Sequence, residues 1–392
     1  MTEIYADSAA AVQPSAAALE AYTRTAAEAW ANPSSTHGTG RRAAAVLQTA
    51  REEIASYLEC APHEIFFTSG GTESINWVIQ SLLLPPHARQ IQRARRGHIV
   101  TTDMEHLAVE ANMEAAQRAG YSVTRVRPNA DGRINPADIE SALREDTVLI
   151  AVMAANNETG VLQPISQIGE IARRRRIPFL SDAVQLPDSV PPRCAASGAD
   201  YMAFSGHKFG AVRGTGILYV RKGAPLYPLL YGGGQERGQR SGTEHVAGAV
   251  SMAVALQEAR LRWQNTQTLR DLRDRFETEI LKTVPHTTVN GRNEERLPGF
   301  SHLSFSGVSG ESLVLLLDLN GVAASAASAC TSTKNVPSRT LTAMGRTPHQ
   351  AREGIRFSFS HRNTPQEVAH LLKLLPGLVE QLRALKPFSD EV

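Results

Sequence analysis

Two stretches, Pro178-Phe-Leu-Ser-Asp-Ala-Val-Gln185 and Tyr201-Met-Ala-Phe-Ser-Gly-His-Lys208, share one design: a short apolar run that closes on polar, chemistry-bearing residues. Short apolar runs bounded by turn residues predict buried strands, here 178–180 and 201–204. Working outward, Ile65-Phe-Phe67, His98-Ile-Val-Thr101, Ser122-Val-Thr-Arg-Val126, Thr147-Val-Leu-Ile-Ala-Val152 and Gly216-Ile-Leu-Tyr-Val220 repeat the pattern. Helix-like segments lie between them, such as Pro164 to Arg175 with Ile165, Ile168 and Ile171 on one face. That alternation, from about residue 45 to 250, predicts an α/β architecture: a large, mainly parallel sheet flanked by helices. Past about residue 255 the texture changes to one long charged helix, Leu261 to Thr283, then strands Leu303–Phe305 and Gly354–Ser358 and an amphipathic helix from Pro365 to Leu385. The expected division is a large α/β domain over 15–255 and a smaller α+β domain over 256–392, joined by the N-terminal segment 1–14 and carrying a polar loop at 323–337.

Composition narrows the function. The chain has 392 residues, 42% of them hydrophobic, enough for two or three domains at roughly 150 residues each. Lys plus Arg is 41 against 39 Asp plus Glu, a net charge of +2, so no basic stripe argues for a dedicated nucleic-acid binder. Arg173–Arg176 ends a helix, where cations suit the dipole, and Arg93–Arg96 sits in a polar connection. Both read as solvated faces, with a patch for a nucleic acid or an acidic partner as the alternative. Three scattered cysteines, Cys60, Cys194 and Cys330, make neither a disulfide framework nor a paired metal motif, which points to a reducing, cytoplasmic setting. The longest apolar run, Val148 to Ala155, is eight residues, far below the ~18 that would span a bilayer.

The chemistry gathers at the predicted strand ends, where open α/β sheets bind ligands. Gly38-Thr-Gly40 has dinucleotide-like spacing, but no strand precedes it. Phe67-Thr-Ser-Gly-Gly-Thr72-Glu73 does follow a strand and open a helix, and its glycines would let backbone N–H groups approach a phosphate. Alone it could be an ordinary turn. With Asp182 at one strand end and Lys208 at another, it fits pyridoxal phosphate: lysine for the Schiff base, carboxylate for the pyridinium nitrogen. His106 could stack on the ring and move protons, Asn156-Asn157 offers amide donors, and Arg356 could clamp a carboxylate across an interdomain cleft. Cys330, among small and polar residues, reads as an accessible thiol; Cys60 and Cys194 read as packing residues.

Ten blocks in one order resemble the NifS/IscS-type cysteine desulfurases, fold type I pyridoxal phosphate enzymes of the class V aminotransferase family. They are Asn32-Pro-Ser-Ser35, Thr68-Ser-Gly-Gly-Thr-Glu73, Glu105-His106, Asn156-Asn-Glu-Thr-Gly160, Asp182-Ala-Val-Gln185, Ser205-Gly-His-Lys208, Gly232-Gly-Gly-Gln-Glu-Arg-Gly238, Arg240-Ser-Gly-Thr-Glu244, Ser328-Ala-Cys330 and Ile355-Arg-Phe-Ser358. The resemblance implies that Lys208 carries the cofactor, Asp182 pairs with its ring nitrogen and Gln185 with its ring oxygen. Gly71, Thr72, Ser205 and His207 would hold the phosphate, joined by Thr243 from the partner subunit of a homodimer. His106 would act in acid/base steps, and Asn157, Arg356 and Asn32 would bind the substrate. L-Cysteine would yield alanine, with its sulfur taken by Cys330 as a persulfide for an acceptor protein in iron–sulfur assembly, tRNA thiolation or DNA phosphorothioation.

Departures from the pattern are Asp7-Ser-Ala-Ala-Ala-Val12, where Asp-Asn-Ala-Ala-Thr-Thr is usual, His245 in place of Asn, and a longer, more basic connection from Leu82 to Gly97 that could be a partner surface. The alternative enzymes on this fold are a selenocysteine lyase, an aminotransferase or an epimerase. A cofactor-bearing scaffold without turnover is the non-enzyme alternative.

Overall fold

The computed structural model describes residues 3–83, 97–326 and 336–385. Its strands, in chain order, are β1 (Ile4–Tyr5), β2 (Ile65–Thr68), β3 (His98–Thr102), β4 (Ser122–Val126), β5 (Thr147–Ala151), β6 (Phe179–Asp182), β7 (Tyr201–Ser205), β8 (Gly216–Val220), β9 (Thr287–Val289), β10 (Phe300–Phe305), β11 (Val322–Ala323) and β12 (Gly354–Ser358). Seven form one sheet in the order β2-β8-β7-β6-β5-β3-β4. Only β8 runs against its neighbours. The connection from Ser205 to Gly216 is too short for the helical crossover that a parallel neighbour needs, so the chain doubles back.

The apolar runs are continuous because both faces of this sheet are covered. Alternate residues feed two separate cores: Ile65, Phe67, Val100, Ile150, Phe179, Met202, Phe204 and Ile217 enter one, while Phe66, Ile99, Leu149, Leu180, Tyr201, Ala203 and Leu218 enter the other. A third core joins Ile4 and Ala6 to residues from Leu272 to Val379. It lies against the antiparallel sheet β12-β10-β9 and the short parallel pair β1-β11. The amino terminus therefore leaves the large sheet's surroundings and packs with the carboxyl-terminal part.

One expected element is different. The charged helix expected over Leu261–Thr283 is two helices, Val246–Trp263 and Thr266–Thr283. The chain must turn at Gln264-Asn265 because the two helices serve different cores. Arg262 pairs with Asp188 and Trp263 Nε1 donates to the Pro187 carbonyl (3.1 Å), both on the large unit, whereas Leu272, Phe276 and Ile280 face the third core. The other departures are of one to three residues at element ends, as at Phe179–Asp182 and Phe300–Phe305. Most of the basic connection, including Arg93–Arg96, lies outside the described residues. Among the described residues no helix is long and apolar enough to cross a membrane.

Candidate active site

Five strands of the large sheet deliver their carboxyl ends to one place. β6 ends on Asp182, and β7 ends on Ser205, from which the short turn Gly206–Lys208 continues. β2 leads to the helix Gly71–Leu83, β3 to the helix Leu107–Arg118 capped by His106, and β5 to Asn157. Between these ends lies a cavity of about 420 Å³. Of the expected site residues, Gly71, Thr72, His106, Asn157, Asp182, Gln185, Ser205, His207, Lys208 and Arg356 all line it.

At the phosphate end, glycine is required by space. A Cβ on Gly71 would lie 2.6 Å from Val184 Cγ2, so a larger residue would force Val184 or the start of the helix to shift. The first N–H groups of a helix lack intrahelical partners and carry partial positive charge, which suits an anion. Ser205 Oγ lies 3.0 Å from His207 Nδ1. Burial, with Lys208 and Arg213 nearby, pushes His207 down to about 4, so the ring is neutral at neutral pH. Behind the cradle Glu73 accepts from Arg240 Nε (2.9 Å) and from the Ser69 N–H (2.9 Å); burial raises its pKa, but these bonds outweigh burial and hold the carboxylate below its usual range.

At the ring end, Asp182 is buried and its Oδ1 accepts from the Val184 N–H (3.0 Å). Burial pushes its pKa up, while His106, the Val184 N–H and Lys208 pull it back. Lys208 Nζ donates to the carbonyls of Ala9 (2.5 Å) and Ala10 (3.0 Å), and Gln185 Nε2 also donates to Ala9 (3.1 Å). Ala9 and Ala10 of the altered segment thus serve the site through their backbone carbonyls, and beside them Ser8 stands where an amide is usual and Ala11 and Val12 where hydroxyls are. His106 Nδ1 accepts from the Ala108 N–H (3.1 Å), which leaves the proton of the neutral ring on Nε2.

Arg356, in β12 of the three-stranded sheet, lines the same cavity and is 2% exposed. Its guanidinium donates to Asp7 Oδ1 (2.7 Å) and to the Asn157 carbonyl (2.6 Å), and Nε, also buried, finds no acceptor among the described residues. Donors therefore remain for a carboxylate ligand. Anion-ready helix N–H groups, a lysine, and a buried carboxylate facing the same cavity are the donor set that pyridoxal phosphate needs, so the residues fit that cofactor.

Three expected residues stand apart. Asn32 is exposed, and its Oδ1 is taken by the Ser34 N–H (2.9 Å) in a local turn. Thr243 is exposed and does not line this chain's cavity. Cys330 lies outside the described residues. Of the other thiols, burial pushes Cys60 up to about 12 and raises Cys194 well above the usual range, which makes both poor nucleophiles.

Reading the residues one at a time missed Glu105. Fully buried, it accepts at Oε1 from Thr102 Oγ1 (2.8 Å) and from the Met153 N–H (3.0 Å), while Oε2 has no partner among the described residues. Burial pushes its pKa up to about 8, so it holds a proton at neutral pH. The folded state then binds a proton that the unfolded chain has lost, and stability contributed at acid pH declines as pH rises from about 4.5 to about 8. Glu105→Gln mimics the protonated form and cannot ionise. Its unfolding free energy, measured in denaturant, should gain on the parent from pH 5 to about pH 8 and then level off; parallel pH curves throughout would mean that Glu105 is ionised in the fold.

The sequence pattern of the class-V aminotransferases (Aminotransferase class-V) matches residues 4–371. The chain is 39% identical to cysteine desulfurase 2 of Trichormus variabilis, over all of this chain and 96% of that protein. Among solved structures, a NifS-like protein superposes with a TM-score of 0.88 at 33% identity, covering 98% of this chain and all of the other. SspA, solved in complex with cysteine, does so with a TM-score of 0.79 at 31% identity, covering 93% of this chain and all of that one.

Proposed function

This chain belongs to the class-V aminotransferase family and is a pyridoxal phosphate-dependent cysteine desulfurase, and from that premise we propose which of its residues do the work. The observation that carries the assignment is the meeting of Lys208, Asp182 and Arg356 in one cavity. Bound through Lys208, the cofactor supplies an electron sink for the bonds at the substrate Cα and Cβ.

The chain's own residues bind, orient and move protons. Arg356 holds the substrate carboxylate in a charge-assisted pair, oriented by Asp7 and by the Asn157 carbonyl. Asp182 would pair with the ring nitrogen, a positive partner that favours the ionised carboxylate against the burial that raises its pKa. Gly71, Thr72, Ser205 and His207 hold the phosphate. Lys208 would hold the cofactor and serve as the base beside the substrate Cα, and His106 carries its proton on Nε2 for acid/base work. The Cys330 thiolate takes the substrate sulfur: the C–S bond breaks, an S–S bond forms, and the carbon left behind gains the proton that makes alanine. One cysteine and one thiol become one alanine and one persulfide.

Thr243, exposed in this chain, completes the phosphate site of a second copy in a homodimer. The two units divide at Gln264-Asn265, where the helix breaks between cores. The persulfide passes to an acceptor protein, with iron–sulfur assembly, tRNA thiolation and DNA phosphorothioation as the candidate destinations.

Incubation of the cofactor-loaded protein with L-cysteine and a reductant should release alanine and sulfide in equal amounts. Cys330→Ser should retain the cofactor's visible absorbance and lose the persulfide, with turnover down by about 10³-fold or more. Unchanged sulfide release from Cys330→Ser would remove Cys330 from the reaction.

A further inference from the structure

Beyond the substrate site, a closed hydrogen-bond network joins two parts of the chain that lie some 180 residues apart. Glu158 follows Asn157, whose carbonyl orients Arg356. It is buried, and its two oxygens accept from the hydroxyls of Ser338 (2.5 Å) and Thr340 (3.0 Å). Ser338 and Thr340 are themselves 3% and 2% exposed, so water cannot substitute for either partner.

The direction of every proton in this network follows from its fixed donors. Asn156 Oδ1 accepts from the N–H groups of Glu158 (3.0 Å) and Thr159 (2.9 Å), which turns its Nδ2 toward Thr340 Oγ1 (3.2 Å). The Leu341 N–H donates to Ser338 Oγ (3.1 Å). Amide N–H groups only donate, so both hydroxyls accept from them and send their own protons to Glu158. A side chain that accepts at both ends is needed there. Burial raises the Glu158 carboxyl above its ordinary range, and the Ser338 and Thr340 bonds, with Arg356 and Arg339 nearby, offset only part of that rise. Arg339, between the two hydroxyl residues, pairs with Glu110 (3.0 Å), which Arg125 also holds (2.8 Å).

Ser338 lies two residues past position 336, on the carboxyl side of the segment that bears Cys330. On the other side of that segment, Ser325 exchanges backbone hydrogen bonds with Arg356 itself (3.2 and 2.7 Å). Both flanks are thus tied to the residues that hold the substrate carboxylate. We propose that Glu158 is a positioning residue for sulfur transfer: by accepting from Ser338 and Thr340 it sets the carboxyl-side flank of the Cys330 segment in register with the substrate-carboxylate site at Asn157 and Arg356. This rests on the reading of Cys330 as the sulfur acceptor.

The test separates substrate binding from sulfur transfer. Glu158→Gln puts a donor where an acceptor is required and leaves one buried hydroxyl proton without a partner; Ser338→Ala removes one arm and is the milder change. Both should load cofactor with the parental visible spectrum and show a KM for L-cysteine within about twofold of the parent. In a single turnover, the mass increase of one sulfur atom on the Cys330 peptide should form about tenfold to a hundredfold more slowly, and Ser338→Thr, which restores the hydroxyl, should recover the rate. Persulfide forming at the parental rate in both variants overturns the proposal. So does a fall matched by equal losses of cofactor affinity and thermal stability, since that is a merely structural role. If the parent itself forms no persulfide on Cys330, the acceptor reading fails first and this one with it, a result distinct from normal transfer in the variants.

Discussion

Replacing Lys208 with alanine should lower turnover of L-cysteine by about 10⁴-fold or more and abolish the visible absorbance of covalently held cofactor. The size of the effect follows from the place Lys208 occupies. It is the lysine of a turn leaving β7, its Nζ drawn to the carbonyls of Ala9 and Ala10 and its charge felt by Asp182. Alanine removes the covalent link and the proton acceptor beside Cα together, so the losses compound. Gly71, Thr72, Ser205 and His207, proposed to hold the phosphate, are untouched. Cofactor should therefore still bind, noncovalently and more weakly, as equilibrium dialysis against pyridoxal phosphate would measure. Turnover within tenfold of the parent would remove Lys208 from the chemistry.

Arg356→Leu should raise KM for L-cysteine and reduce kcat/KM by about 10²- to 10³-fold, while cofactor loading stays near the parental level. Truncating one side of a buried, hydrogen-bonded charge pair costs about 2–5 kcal/mol, and each 1.4 kcal/mol is roughly tenfold. At 2% exposure Arg356 meets that condition. Leucine also strands Asp7, whose Oδ1 loses its guanidinium partner, so a modest loss of thermal stability should accompany the kinetic defect. Arg356→Lys keeps the charge but cannot reach Asp7, the Asn157 carbonyl and a carboxylate at once, and should fall between the two. Steady-state kinetics against L-cysteine concentration distinguishes these outcomes; an unchanged KM would mean that the carboxylate is held elsewhere.

Most of the fold was legible because its signals are local. A buried parallel sheet demands short apolar runs with punctuation at both ends, and β2, β3 and β5 through β8 carried that mark, whereas the edge strand β4 showed only its β-branched residues. The site was legible for a related reason: in such a sheet ligand residues follow the strands immediately, so Asp182, Ser205, His207 and Lys208 could be read beside the runs that position them. The break at Gln264-Asn265 escaped because both helices are charged and amphipathic, and only their attachment to different cores separates them. Asn32 was expected at the substrate from its motif, yet its side chain caps a turn of its own chain.

What the amino-acid order determined by itself is the alternation of strands and helices, the placing of reactive residues at strand ends and the ten blocks that carry the resemblance. Tertiary structure alone decided that Asp7 meets Arg356, 349 residues away, that the backbone of Ala9 and Ala10 receives Lys208, and that Glu158 binds Ser338 and Thr340. The same holds for the protonation of Glu105, which depends on the low-polarity shell closing around it. A strand announces itself through the spacing of neighbours along the chain. A hydrogen bond between distant residues leaves no such spacing, and its partners become one group only once the cores have packed and water has been excluded.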